Sequence, residues 1–239
     1  MAGIRIVSPG VIGSPTSRSR PPTLTPALHR ITPSQSPSQV GQEITSIPSE
    51  VGNSISVEAP PVMRADPMTY GAFRGSVNGE DDTVRLAASP SVTLATFTTL
   101  VVARLKNVAL GDGYTSLFYM MPPGGNRSDL TLWAPSATRV LRWSGGSGGQ
   151  TVDHGWTPDT QWHVFTVRQT ADAVSVGVDG VESTVEGPSL AGSSFSIGRR
   201  RGGGYSAVDV ADAVIFPALG ASAFTAEVAN FANFYGVSL

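Results

Sequence analysis

The chain contains no cysteine, which excludes disulfides, thiolate metal sites and a cysteine nucleophile. Lys106 is its single lysine, and charged residues of both signs make up only 14% of its 239 positions. The net charge is −2, so no overall field attracts a polyanion and nucleic acid is not an expected partner. No stretch approaches the ~18 consecutive apolar residues of a membrane span. The opening MAGIRIVSPGVIGSP lacks the apolar run of a secretory leader. Aromatic residues are missing from the first 69 positions, Tyr70 being the first. A segment so poor in large side chains does not build a dense core.

What replaces charge is glycine (27), proline (18), serine and threonine, the composition of a turn-rich chain with little solvated helix. The length fits one large all-β domain or two small ones. Nine of the 18 prolines lie in residues 1–60. Residues 1–22 are the extreme: Ser8-Pro9, Ser14-Pro15 and Arg20-Pro21-Pro22 block helix and remove donors, so an extended arm is expected. Its apolar anchors are Ile4, Ile6, Val7, Val11 and Ile12, and Arg5, Arg18 and Arg20 meet no acid within it. Ordering each residue costs on the order of 1–2 kcal/mol. Such an arm is expected to gain its order from neighbouring subunits rather than from its own domain.

Residues 23–239 read as many short strands. Thr93–Arg104 is too threonine-rich and β-branched for a helix. Ser116–Met121 ends at Pro122-Pro123-Gly124-Gly125, and Leu130–Trp133 and Arg139–Trp143 flank a Pro135-Ser136 turn. The clearest local signal is Val174, Val176 and Val178 alternating up to Asp179-Gly180, followed by Val181, Ser183 and Val185. Asp-Gly between alternating runs marks a two-residue hairpin, because both central residues must accept positive φ. Trp162, Val164 and Thr166 alternate with His163, Phe165 and Val167 just before it. Strands at this spacing indicate a sandwich or jelly roll. One helix closes the chain, with Thr225 as cap, Phe224 at the staple position and Glu227 in the first turn. Val228, Phe231, Phe234 and Tyr235 form its packing face, and Gly236 its stop.

The order of these features resembles the concanavalin A-like lectin/glucanase superfamily in its laminin-G-like branch. Trp162-His163-Val164-Phe165-Thr166-Val167 matches a W-H-x-φ-x-φ strand, Val176–Gly180 a φ-x-V-D-G hairpin, and Phe195-Ser196-Ile197-Gly198 a φ-x-φ-G strand. Val208–Phe216 and the Phe224-Thr225-x-Glu227 helix follow in the family's order. Upstream, Tyr70–Gly75 and Asp81–Leu86 are similar to its F-x-G-x-x-D-x-φ segment. Two departures are visible: Asp212 stands where the family prefers Glu, and Phe216-Pro217 replaces a tyrosine. The resemblance implies an antiparallel two-sheet jelly-roll sandwich over residues 23–239, with one short C-terminal helix. It also implies a choice among glycan binding, protein binding, Ca²⁺ binding, glucan hydrolysis and purely structural roles, which fold alone does not make.

The candidate chemistry is sparse. Glucanases of that superfamily carry Glu-x-Asp-x-x-Glu on one strand, and no such string exists here. Glu80-Asp81-Asp82 is contiguous, and Asp209 and Asp212 alternate, so both groups read as solvated turn and edge charges. Gly145–Gly149 matches G-x-S-x-G but lies between two strands, as a hairpin tip rather than a nucleophile elbow. His29, His154 and His163 read as satisfied or surface histidines. Ca²⁺ at a rim, which the resemblance allows, would draw on Asp112, Asn126, Asp129 or Asp153, although carboxylates in glycine turns usually just favour the turn. Trp133, Trp156 and Tyr205 are the aromatic candidates for stacking on a sugar, while Trp143 and Trp162 belong to the core. Arg199-Arg200-Arg201 is the one dense charge cluster, suited to clamping a carboxylate or phosphate, although such a loop is more often a solvated turn or a subunit contact. No enzyme and no cofactor is expected. A signal-less, cysteine-free sandwich behind a proline-studded arm resembles phage virion proteins, of minor tail or capsid-decoration type. Its expected partners are other virion proteins, copies of itself and host-surface glycans.

Overall fold

The computed structural model describes residues 21–32, 35–37, 39, 41–47, 55–59, 83–86, 94–105, 115–121, 128–133, 140–145, 150–187, 194–197 and 208–239. Among the described residues, two antiparallel sheets face one another. The first has six strands in the order β1 (His29–Ile31), β13 (Val208–Phe216), β4 (Phe97–Leu105), β9 (His163–Gln169), β10 (Ala173–Val178) and β11 (Val181–Glu186). The second has seven, ordered β2 (Ile55–Ala59), β3 (Thr83–Leu86), β12 (Ser194–Ile197), β5 (Thr115–Met121), β6 (Ser128–Trp133), β7 (Val140–Ser144) and β8 (Thr151–His154). Over the described residues the chain is an antiparallel β-sandwich with one C-terminal helix, as the strand pattern predicts.

Alternation along the strands sorts the side chains into two cores. Phe97, Val101, Phe165, Val167, Val176 and Val210 face the second sheet. Phe97 of β4, Phe118 of β5 and Trp143 of β7 meet there with ring centroids 6.3–6.5 Å apart. The opposite face of the six-stranded sheet carries Leu100, Val102, Trp162, Val164 and Val214, covered by helix α1 (Ala221–Tyr235). Trp143 and Trp162 are buried as expected, but Trp162 lies under the helix, not between the sheets.

The Asp179-Gly180 hairpin forms as read: Asp179 has φ 51° and Gly180 φ 83°, with Val178 opposite Val181 and Val174 opposite Val185. The Gly145–Gly149 stretch joins the paired strands β7 and β8, and Gly145 N–H donates to Gln150 O at 2.9 Å. No helix follows it, as an elbow requires.

Two expectations fail. The helix starts a turn earlier than its predicted cap. Gly220 is the N-cap, in an extended conformation, and Thr225 lies inside the helix, its hydroxyl donating back to Ala221 O. Glu227 is therefore mid-helix and fully buried, where Oε1 accepts the Thr25 N–H at 2.5 Å. Gly236 does end the helix in the left-handed conformation. Asp209 and Asp212 are likewise not solvated edge charges. A bulge between Val210 and Asp212 adds one residue to β13, which resets the alternation and turns both carboxylates toward the helix side. Asp209 pairs with Arg104, which stacks over Trp162. Asp212 pairs with Arg30 and accepts from Thr32 Oγ1 and Tyr235 O–H. The Tyr235 hydroxyl is held far above its ordinary pKa by burial, then by the Asp212 charge.

Arg30 also donates to Pro21 O at 2.9 Å, and Asn230 Nδ2 to Pro22 O at 2.7 Å. The last two residues of the proline-rich segment thus rest on their own domain. Ile4, Ile6, Val7, Val11, Ile12, Arg18 and Arg20 lie outside the described residues.

Candidate functional site

The chain passes from the second sheet to the first through the loop Gly155–Trp162, between β8 and β9. β8, the edge of its sheet, lies against β10 and β11 of the other. The loop therefore closes one side of the sandwich, and Trp156 and His163 fill the corner. Trp156 is half-buried, its ring edge-on to His163 at 4.9 Å and to Phe165 at 5.3 Å. It is a wedge with a partly open surface, not a free rim aromatic.

Two histidines pin the loop. His154 Nδ1 accepts the Trp156 N–H at 3.1 Å, so its proton sits on Nε2, which donates across the sheets to Val181 O at 3.0 Å. His163 lies between two carboxylates: Nδ1 is 2.6 Å from Asp179 Oδ2 and Nε2 is 2.8 Å from Asp159 Oδ1. Carboxylate oxygens only accept, so both ring nitrogens must donate, and the geometry calls for the imidazolium. Burial pulls the His163 pKa down, but hydrogen bonds to Asp179 and Asp159, with their charges, outweigh it and raise it above the ordinary histidine value. For Asp159, partial burial pushes the pKa up, and the bonds from His163 and the Gln161 N–H, with the imidazolium charge, outweigh that and lower it. Asp179 Oδ1 also accepts the Val164 N–H at 2.8 Å. One carboxylate thus fastens the hairpin turn to β9 and orients the histidine.

His163 is a satisfied histidine, as its sequence context suggests. Its partners were not legible: Asp159 sits four residues back in a loop, and Asp179 reads as a turn former. The W-H strand followed by the V-D-G turn was the available signal, since the β9–β10–β11 ribbon brings His163 and Asp179 to the same end.

The other candidates are not gathered here. Asp153 is exposed on β8, with its carboxylate bound by Arg142 through Nε–Oδ1 at 2.5 Å and Nη2–Oδ2 at 2.7 Å. Calcium at Asp153 would have to displace that guanidinium. Asp129 lies on β6 opposite Ser144, and Trp133 on β6 opposite Val140. Asp112, Asn126, Arg199, Arg200, Arg201 and Tyr205 lie outside the described residues. Among the described residues, no three His, Asp or Glu side chains form a metal-holding group. No helix there is long and apolar enough to cross a membrane.

No family model matches the chain, and no curated protein does. Solved structures do. Domain 4 of the arabinanase AbnA from Geobacillus stearothermophilus, in complex with arabinotriose, is similar with a TM-score of 0.51 and 20% identity, over 74% of this chain and 82% of that one. The binding domain of botulinum neurotoxin DC in complex with SialylT gives 0.54 and 10%, over 77% of this chain and 48% of the other. A Trypanosoma rangeli sialidase gives 0.56 and 18%, over 95% of this chain and 36% of the enzyme. This chain thus spans about half of the toxin domain and about a third of the sialidase. At these identities the likeness is one of fold: the chain shares the two-sheet β-sandwich of these proteins.

Proposed function

We propose that the chain is a non-catalytic, glycan-binding β-sandwich held in a larger assembly by its proline-rich N-terminal arm, in the manner of a phage virion protein of the tail or capsid surface. The observation that carries the binding half is Trp156. A half-buried indole stands at the sandwich corner against His163, whose Nε2 holds the exposed carboxylate of Asp159, on a fold whose solved relatives include structures bound to arabinotriose and SialylT. The non-catalytic half is supported by how the carboxylates of this corner are used. Asp159 and Asp179 converge on His163 instead of facing each other across a cleft. The reading needs no cofactor.

The assembly half is supported by the sequence of residues 1–20, which holds three arginines and no acidic residue, few apolar anchors and proline spacing that favours extension. Their partners in this reading are copies of the chain and other virion proteins.

A glycan array probed with the chain and with Trp156→Ala tests the binding half. Retention on a sugar class is expected, lost in a variant that stays folded at the assay temperature although its melting point falls with the packing on His163 and Phe165; no retention on any glycan overturns it. For the assembly half, removing residues 1–20 spares the Pro21 and Pro22 contacts, so the truncated domain stays folded. It is expected to lose incorporation into particles, and incorporation at the full level contradicts the arm's role.

A further inference from the structure

The Gly155–Trp162 loop is fastened at two points of different character. The Trp156 end hangs on His154, through one N–H···N bond. The Asp159 end hangs on His163, through a bond that exists only while both imidazole nitrogens carry protons. Resting on the glycan-binding reading above, we infer that this loop is the ligand-contacting edge of the sandwich, that His163 is its positioning residue, and that the sugar it takes is uncharged.

Among the described residues, the charges around His163 are few. The loop contributes Asp159 and the β10–β11 turn contributes Asp179; from β8 comes His154, one residue beyond through Trp156. On β4 its cross-strand neighbour is Ala103. Glu182 of β11 is bound by Arg168, and Asp153 of β8 by Arg142. Two carboxylates and one imidazolium leave one net negative charge, which disfavours sialylated or phosphorylated sugars. A neutral sugar instead lays its apolar face on the open part of Trp156 and donates a hydroxyl to Asp159, whose side chain is 49% exposed.

When His163 loses a proton, one N–H remains. It stays with Asp179, the less exposed acceptor at 19% against 49%, and Nε2 then presents a lone pair to Asp159. Asp159 turns to water, and the loop loses that anchor together with the Gln161 N–H bond that Asp159 organises.

The experiment combines NMR of the full chain with binding of neutral and sialylated oligosaccharides between about pH 6 and about pH 9. The imidazole signals of His163 and the amides of Thr160 and Gln161 are expected to titrate together, and affinity for the neutral sugar to fall about fivefold or more across that step. Asp159→Asn, at an exposed position, moves the step to lower pH; His163→Gln abolishes it. Neutral-sugar binding that is flat in pH while His163 titrates overturns the positioning role and leaves the glycan-binding reading standing. Loop amides that follow His163 in a chain that binds no sugar overturn the glycan-binding reading itself, and the ligand assignment with it. A preference for the sialylated sugar overturns the assignment of ligand charge.

Discussion

His163 Nδ1 stands 2.6 Å from Asp179 Oδ2, while the amide of the next residue, Val164, donates to the other oxygen of that carboxylate at 2.8 Å. One side chain at the first turn position thus ties hairpin to strand and strand to loop. Asp179→Ala removes both acceptors and is expected to cost about 2–3 kcal/mol, read from urea midpoints.

The same contact gives stability a pH dependence of definite sign. The His163 pKa is raised on folding, so its contribution is complete below the unfolded histidine value of about 6.5 and is lost as pH rises through the folded value. Asp159 works in the opposite direction: its lowered pKa gives a contribution present above the unfolded carboxylate value and lost as pH falls through the folded one. Urea midpoints are expected to decline on the alkaline side in the wild type, and less steeply in His163→Gln.

Arg30 and Asp212 form a buried ion pair, with 5% and 0% of the side chains exposed. Pro21 O and Tyr235 O–H fill further bonding positions, and Phe231 lies under the guanidinium at 5.4 Å. Asp212→Asn leaves the arginine without its countercharge and is expected to destabilise by about 3–5 kcal/mol. Replacing both residues with apolar ones of similar volume is expected to recover most of that loss in thermal melts.

Gly177 occupies β10 where its cross-strand neighbours approach closely. A Cβ there would lie 2.5 Å from Thr166 Oγ1 and 2.9 Å from Val181 O. The second neighbour is backbone and cannot step aside. Gly177→Ala is expected to cost about 1–3 kcal/mol, with Thr166→Ala relieving only part of it.

What was legible in the sequence was local. The Asp179-Gly180 turn announces itself because two positive-φ residues sit between alternating valines. The faces of β9 follow from period two. The helix starts before the point its sequence suggests because Thr225-x-Glu227 imitates a capped first turn, whereas tertiary burial of Phe224 and Glu227 extends the helix back to Ala221. The bulge at Asp212 was invisible, since one inserted residue reverses every later face assignment and only the partner strand reveals it. β1 has three residues, too few for any periodic signal, and it is held by the register with β13. The His163 site needed the meeting of a loop, a strand and a distant turn, which is topology rather than motif.

The most direct measurement is a titration of the isotopically labelled chain with neutral oligosaccharides, following every assigned amide. Saturable shifts confined to residues 154–163 and 179–181, absent in Trp156→Ala, are the predicted result. Shifts centred elsewhere on the sandwich, or none at millimolar sugar, would contradict the account.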